Sequence, residues 1–293
     1  MAEKLKYFVN GQFRESKTDK WYDLHNPSTG EITGQAPCCT NDEVLEAIAA
    51  AKAAYPGWSA TPAIKRAQIL YRVRELILER MDELTMSVAK ENGKVWAESE
   101  GDVLKAKEGT ELATQVPSLM MGESIMDASR GYDTVKYREP LGVFAGIVPV
   151  NFPAMIPFGW MAPTCIATGN TLVLKAASLT PKTAMLFAQL YKDAGVPDGV
   201  INVVTCSRNE INTILEHPDV KGITFVGSTP VGLKIYEKAA ANGKRCQALC
   251  QAKNHALVME DCALERTVAG VINSAFGCAG QHCMALSCCV VQD

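Results

Sequence analysis

Residues 142–177 read GVFAGIVPVNFPAMIPFGWMAPTCIATGNTLVLKAA. The apolar run at 142–150, the proline-broken segment after it and the second apolar run at 170–177 predict strand, helix and strand. Strands that are apolar along their whole length belong to sheets covered on both faces. The same alternation continues downstream. TPKTAMLFAQLYKDAG (180–195) predicts a helix with Thr180 as N-cap, Pro181 at its first position and Gly195 as its stop. GVINVVT (199–205) follows as a strand, RNEINTILEHP (208–218) as a helix, GITFVGS (222–228) as a strand and TPVGLKIYEKAAAN (229–242) as a helix. This βαβαβαβα order at short spacing predicts an α/β fold with a doubly wound parallel sheet. HALVMED (255–261), ALERTVAGVINSAFG (263–277) and LSCCVVQ (286–292) begin a second strand–helix–strand unit.

Upstream the pattern is different. KYFVNGQFRES (6–16) alternates around an Asn-Gly pair, the signal of a tight hairpin. Asp23 to Thr33 reads as turn and short strand. From Asn41, a possible N-cap, an Ala-rich helix follows. Residues 63–93 then read as one long amphipathic helix with Ile69, Leu70, Val73, Leu76 and Ile77 on a single stripe. A third helix spans roughly 95–116, and residues 122–140 are loop and strand.

The 293 residues carry 47% apolar and 21% charged side chains, enough for a sizeable core. A net charge of −3 supplies no basic field for nucleic acid or anionic lipid, so neither is an expected partner. The N-terminus has no apolar leader, and prolines and glycines break the most apolar stretch, so no membrane span is expected. The eleven cysteines, with no export signal, are expected to be reduced thiols of a cytoplasmic protein. They form no C-x-x-C pair, and no second cluster completes a zinc pattern, so no metal is expected.

In parallel sheets, ligands bind beyond the C-terminal ends of the strands. Those ends are Pro149–Asn151, Lys175–Ser178 and Gly227–Thr229. The FVGST turn (225–229) sets backbone N–H groups at a helix N-terminus, where a phosphate can sit. Without a ligand the same turn is an ordinary strand-to-helix connection, and no G-x-G-x-x-G is present. Lys175 either bonds a ribose hydroxyl or leaves its strand into solvent. The Asn151 amide can donate to a developing oxyanion or cap a turn. Cys283, in a loop after a helix, is a nucleophile if its pocket favours the thiolate, and a buried thiol otherwise.

PVNFP (149–153), LVLKAAS (172–178), AGVPDGVINVVT (194–205), FVGST, AKNHALVMED (252–261) and FGCAGQHCMA (276–285) resemble, in order and spacing, the aldehyde dehydrogenase superfamily. SLMMGES (118–124), KNHALVM (253–259) and GQHCMALS (280–287) are most similar to its CoA-acylating methylmalonate-semialdehyde branch. The resemblance implies an aldehyde dehydrogenase-like fold: a Rossmann-type doubly wound sheet with N-terminal helices and the start of a second, catalytic α/β domain. It implies a dinucleotide-binding domain at 1–121 and 141–254, an oligomerisation hairpin at 122–140, and a C-terminally truncated start of the catalytic domain at 255–293. It implies that Cys283 attacks an aldehyde to give a thiohemiacetal, that Asn151 and the Cys283 N–H hold the oxyanion, and that a thioacyl-enzyme follows. Val148, Val150, Lys175, Ser178, Gly227 and Ser228 match cofactor-contacting positions. NAD is the implied cofactor, coenzyme A the implied co-substrate, a small aldehyde the substrate, and a homo-oligomer the implied full-length assembly.

The sequence departs from the family at four places. The general-base glutamate of hydrolytic relatives is replaced by Leu249, which cannot activate water and so favours thiolysis. Two arginines placed against a substrate carboxylate are Lys105 and His282 here, which loses the bidentate fork. The ribose-binding glutamate is Ser178, which would not repel a 2′-phosphate and leaves NADP open. A non-acylating dehydrogenase and a catalytically inactive nucleotide-binding fragment are the alternatives.

Overall fold

A computed structural model describes residues 3–292. Strands β1 (Tyr7–Val9) and β2 (Gln12–Arg14) form the expected hairpin. Asn10 and Gly11 both take positive φ (52° and 70°), as a two-residue turn of this hand requires. Strands β3 (Trp21–His25) and β4 (Ile32–Pro37) make a second antiparallel pair. Helix α1 (Asn41–Ala60) is capped by Thr40, not Asn41: the Thr40 hydroxyl accepts the Glu43 N–H while Glu43 reaches back to the Thr40 N–H. The reciprocal pair satisfies two orphan donors, which an isolated Asn cap does not.

Residues 63–93 are not one helix. Helix α2 (Ala63–Glu79) stops at Arg80 (φ −110°, ψ 22°), and α3 (Met81–Asn92) restarts beyond it. Neither glycine nor proline marks the break. At the bend the Arg80 side chain pairs with Glu83 and reaches Asp193, at the end of a later helix, at 3.5 Å. Helix α4 (Trp96–Ala113), the short α5 (Val116–Leu119) and a solvent-exposed hairpin of β5 (Ser124–Ser129) and β6 (Tyr132–Val135) follow.

The alternating half is built as expected. In chain order come β7 (Val143–Ile147), a π-helix (Ile156–Met161) running into α6 (Ala162–Ala167), β8 (Thr171–Lys175), α7 (Lys182–Asp193), β9 (Ile201–Val204), α8 (Arg208–Glu216), β10 (Val220–Val226), α9 (Thr229–Ala241) and β11 (Arg245–Leu249). The sheet order is β11-β10-β7-β8-β9-β1-β2, parallel over the first five strands and closed by the antiparallel hairpin. The order reverses beside β7, so the ligand crevice of such a sheet lies between the ends of β7 and β10. Strand β11 was not expected from the sequence: its alternating, half-exposed RCQAL is an edge strand with a weak apolar signal. The core fills with Val143, Ala145, Leu172, Val173, Leu174, Val203 and Val204 from the central strands.

Helix α7 also departs from expectation. It begins at Lys182, one residue late, and Thr180 does not cap it; the Thr180 hydroxyl donates to the Val150 carbonyl at 3.3 Å. The cap comes from another helix: the buried Glu91 carboxylate accepts the N–H groups of Lys182 (2.6 Å) and Thr183 (2.8 Å) and the Thr183 hydroxyl (2.7 Å). A negative group at a helix N-terminus is well placed for the helix dipole.

The last elements, β12 (Asn254–Val258), α10 (Leu264–Phe276) and β13 (Leu286–Val291), form a separate two-stranded parallel unit. Leu264, Val268, Ile272 and Phe276, four residues apart on α10, are exposed. Among the described residues no helix is long and apolar enough to cross a membrane.

Glu91 makes stability pH-dependent. Burial pushes its carboxyl up to about 7, against the hydrogen bonds that pull it down. The folded chain therefore keeps this proton to higher pH than the unfolded chain, whose carboxyl titrates near the ordinary 4.5. The associated stability is fully present below pH 4.5 and is lost as pH rises toward 7, by at most about 3 kcal/mol. Urea unfolding at pH 5 and pH 7.5 should show this loss, and Glu91→Gln should flatten it.

Candidate active site

The crevice side of the sheet holds a cleft of about 750 Å³ between α8 and α9, lined by Ile147, Lys175, Cys206, Arg208, Pro230 and Ile235 among others. Lys175 ends β8 and is largely buried, and burial lowers its pKa. Val148, just past β7, donates its N–H to the Lys175 carbonyl at 3.4 Å. The Val150 carbonyl is held by Asn92 (3.0 Å) and Thr180. Ser178 lies half-buried in the loop between β8 and α7.

Gly227 and Ser228 form the turn into α9. The Ser228 side chain makes no cap bond; Pro230 has no N–H and the Val231 N–H bonds the Ser228 carbonyl at 3.1 Å, so the donor left at the start of α9 is the Thr229 N–H. A Cβ on Gly227 would come within 2.5 Å of the Phe225 ring, so the close backbone turn needs glycine here. Apolar walls, cationic Lys175 and Arg208, and an uncapped helix N-terminus fit an adenosine bearing phosphate.

The thiol end of the site is held from three directions. Asn151 donates its amide to the Gln281 carbonyl at 2.8 Å, two residues before Cys283. Asn254, at the start of β12, donates to the carbonyls of Cys283 (3.3 Å) and Ala285 (2.9 Å). Glu98, on α4, accepts the Cys278 N–H at 2.7 Å. Asn151 and the loop of Cys283 thus meet, 130 residues apart in sequence. The Asn151 side-chain oxygen Oδ1 is buried with no hydrogen-bond partner among the described residues, leaving unsatisfied polarity in the site.

Beneath this loop lies an ion pair, Lys94 to Asp102 at 3.2 Å, with both side chains fully buried. Asp102 also accepts the Met155 N–H at 2.7 Å. Lys94 stands 3.7 Å over the Phe152 ring, and that ring packs against His282 at 5.3 Å between centroids. Burial, and then the charge of Lys94, hold the His282 pKa below its ordinary 6.5, so the ring is neutral at pH 7. Lys105 does not join this group. Its exposed ammonium pairs with Glu108 at 2.6 Å on the outer side of α4. Leu249 ends β11, half-exposed, and its carbonyl accepts the Gly227 N–H at 3.1 Å.

Sequence reasoning missed Asn254, Glu98, Lys94 and Asp102. One signal was available. The buried face of α4 reads Ser99, Asp102, Val103, Ala106, Thr110 and Ala113, and an aspartate on such a stripe requires a buried partner. For Glu98 and Asn254, whose partners are backbone atoms of a distant loop, no local signal exists.

A doubly wound sheet with a cleft at the C-terminal ends of its strands, and a cysteine loop pinned beside an amide side chain, define an α/β protein with a candidate ligand site and a candidate thiol centre. The chain belongs to the aldehyde dehydrogenase family, whose profile matches residues 13–293. It is 45% identical over 287 residues to the acylating, mitochondrial methylmalonate-semialdehyde/malonate-semialdehyde dehydrogenase of Rattus norvegicus, covering 98% of this chain and 54% of that protein. The crystal structure of methylmalonate-semialdehyde dehydrogenase from Oceanimonas doudoroffii superposes with a TM-score of 0.96 at 40% identity, over 99% of this chain and 59% of that one. A structure from Sinorhizobium meliloti 1021, solved in complex with NAD, gives a TM-score of 0.96 at 36% identity with the same coverage. The chain thus spans between half and three-fifths of the length of these relatives. The fold is aldehyde dehydrogenase-like, as its motifs imply.

The thiols fall into distinct environments. Burial pushes Cys39, Cys165 and Cys206 up to about 12, whereas Cys283 is half-buried and Cys289 is exposed. Limiting iodoacetamide at pH 7 should label Cys283 and Cys289 at least about a hundredfold faster than those three thiols. Peptide mapping that finds Cys283 no faster than Cys39 would remove it as a nucleophile.

Proposed function

We propose that the protein oxidises a malonate-type semialdehyde to an acyl-CoA thioester with NAD. The observation that carries the reading is the Asn151–Gln281 bond, which sets an amide donor beside the loop of the only cysteine in a Gln-His-Cys context. Cys283, as thiolate, bonds to the aldehyde carbon, and the carbonyl oxygen becomes an oxyanion. Asn151 and the Cys283 N–H stabilise it. Bound NAD supplies the hydride acceptor that converts this adduct to a thioester. Val148, Val150, Lys175, Ser178, Gly227 and Ser228 are assigned to hold the dinucleotide, with Lys175 at the ribose and the Gly227–Ser228 turn at phosphate. The uncharged Ser178 also tolerates a 2′-phosphate.

Leu249 supports coenzyme A as the acyl acceptor. Water at this thioester would need a general base, and leucine is not one; a thiol is the better unassisted nucleophile. His282 is assigned to the substrate carboxylate, and Lys105 only once its outward pair with Glu108 opens. A neutral His282 and a solvent-exposed Lys105 make that recognition weak at pH 7 and stronger as His282 protonates. Within this reading, residues 1–121 and 141–254 form the dinucleotide-binding domain, 122–140 the oligomerisation hairpin of a homo-oligomer, and 255–293 the start of the catalytic domain.

The test is NADH formation from malonate semialdehyde and CoA by the protein at its natural length. Turnover should fall to background in Cys283→Ala. In Leu249→Glu, release of free acid without CoA should rise by about a hundredfold, the contribution of a placed general base. Turnover that survives Cys283→Ala would overturn the reading.

A further inference from the structure

We propose that Glu98 is a positioning residue for Cys283. The proposal rests on the reading of Cys283 as the nucleophile, and it adds how the loop that carries the thiol is held in place. Between α10 and β13 the chain passes through three successive left-handed residues: Cys278 (φ 56°), Ala279 (φ 54°) and Gly280 (φ 72°). Only the third is glycine. Residues with a Cβ disfavour this conformation and keep it only where the surroundings impose it. Two bonds inside the turn, Gly280 N–H to Gly277 O (3.1 Å) and Gln281 N–H to Cys278 O (2.9 Å), close it locally. From outside, Asn151 holds the Gln281 carbonyl at 2.8 Å beyond the turn, and at its left-handed start the Glu98 carboxylate takes the Cys278 N–H at 2.7 Å. A charged acceptor makes the stronger class of hydrogen bond.

Glu98 is itself fixed. It stands one turn before Asp102 on α4, and Asp102 is locked by Lys94 and by the Met155 N–H. The same short segment reaches the other two loops of the site. Glu91 caps α7 after the Ser178 loop, and Asn92 holds the Val150 carbonyl beside Asn151. Residues 91–102 therefore register the dinucleotide loop, the Asn151 loop and the Cys283 loop against one another. Within that register, Glu98 grips the third loop five residues upstream of the thiol. It touches backbone, not reacting atoms, and so acts on Cys283 through the turn.

The experiment compares Glu98→Ala, Glu98→Gln and the double variant Glu98→Ala/Cys278→Gly in the protein at its natural length. Hydrogen exchange of amides 278–285 should accelerate about tenfold in Glu98→Ala, while the central strands β7 and β8 stay protected. Glu98→Gln keeps an acceptor oxygen and should stay within about threefold of the parent. Glycine at 278 adopts positive φ freely, so the double variant should recover much of the lost protection. In turnover, kcat should fall at least tenfold in Glu98→Ala with KM for NAD unchanged, since a misplacement near 1 Å costs up to about a hundredfold. Unchanged exchange at 278–285 in Glu98→Ala, or faster exchange with undiminished kcat, overturns the proposal. If the parent itself shows neither aldehyde turnover nor labelling of Cys283, the reading of the nucleophile fails, and the exchange data alone then decide whether Glu98 holds the turn.

Discussion

Lys94 and Asp102 form an ion pair with no solvent on either side chain, and the geometry of the site depends on it. Removing two charges from water is costly, and their attraction offsets that cost only when the remaining polar atoms are also satisfied. Here they are. Asp102 takes the Met155 N–H, and the Lys94 ammonium lies over the Phe152 ring. Both contacts reach one short segment, Phe152 to Met155, so the pair fixes the entry to the π-helix, just after Asn151, against α4. Loss of either partner would leave an uncompensated buried charge, a defect of about 3–5 kcal/mol. His282 feels the same pair through Phe152 and through the Lys94 charge that helps keep it neutral.

The sheet makes this arrangement useful. The strand order reverses beside β7, so the residues after β7 and β10 face one crevice, with the β8 end alongside. The helices that cover the sheet come close enough to share backbone contacts. A Cβ on Gly109 would lie 2.1 Å from the Gly159 carbonyl, so α4 and the π-helix touch through glycine on both sides. That contact brings the polar face of α4 to the loop that carries Asn151. The β12–α10–β13 unit then delivers Cys283 from the far side, tied to the rest through Asn151 and Glu98 and braced from within by Asn254.

The departures from the family pattern act together in the proposed chemistry. Leu249 offers no group that activates water, while its backbone carbonyl supports the Gly227 turn. His282 lies against Phe152, but Lys105 is turned to Glu108, so the two positions assigned to a carboxylate are unequal here. Ser178 brings no carboxylate to the loop after β8, beside a cleft lined by Lys175 and Arg208.

The sequence by itself determined the α/β alternation from residue 142 onward, the Asn-Gly hairpin, the strand-end positions of Lys175, Asn151 and Gly227, and the Cys283 context. These are legible because each is a local property: apolar period, turn chemistry, or a short motif at the end of a predicted element. Only the tertiary structure decided the rest. The break at Arg80 interrupts an apolar period that runs on without a breaker, at a residue whose side chain reaches Asp193 on another helix. Helix α7 takes its cap from Glu91, a residue 91 positions upstream of Lys182, although Thr180 stands next to its start. Strand β11 exists because β10 offers it an edge. Glu98 and Asn254 bind backbone N–H and C=O groups, which every residue presents alike, so no side-chain pattern in the partner loop could have announced them. Lys105 matched its motif position, yet exposure and a nearby glutamate turned its ammonium outward. Local chemistry names the candidates; which of them meet is fixed by long-range packing, because the partners of a buried polar group are chosen by the fold.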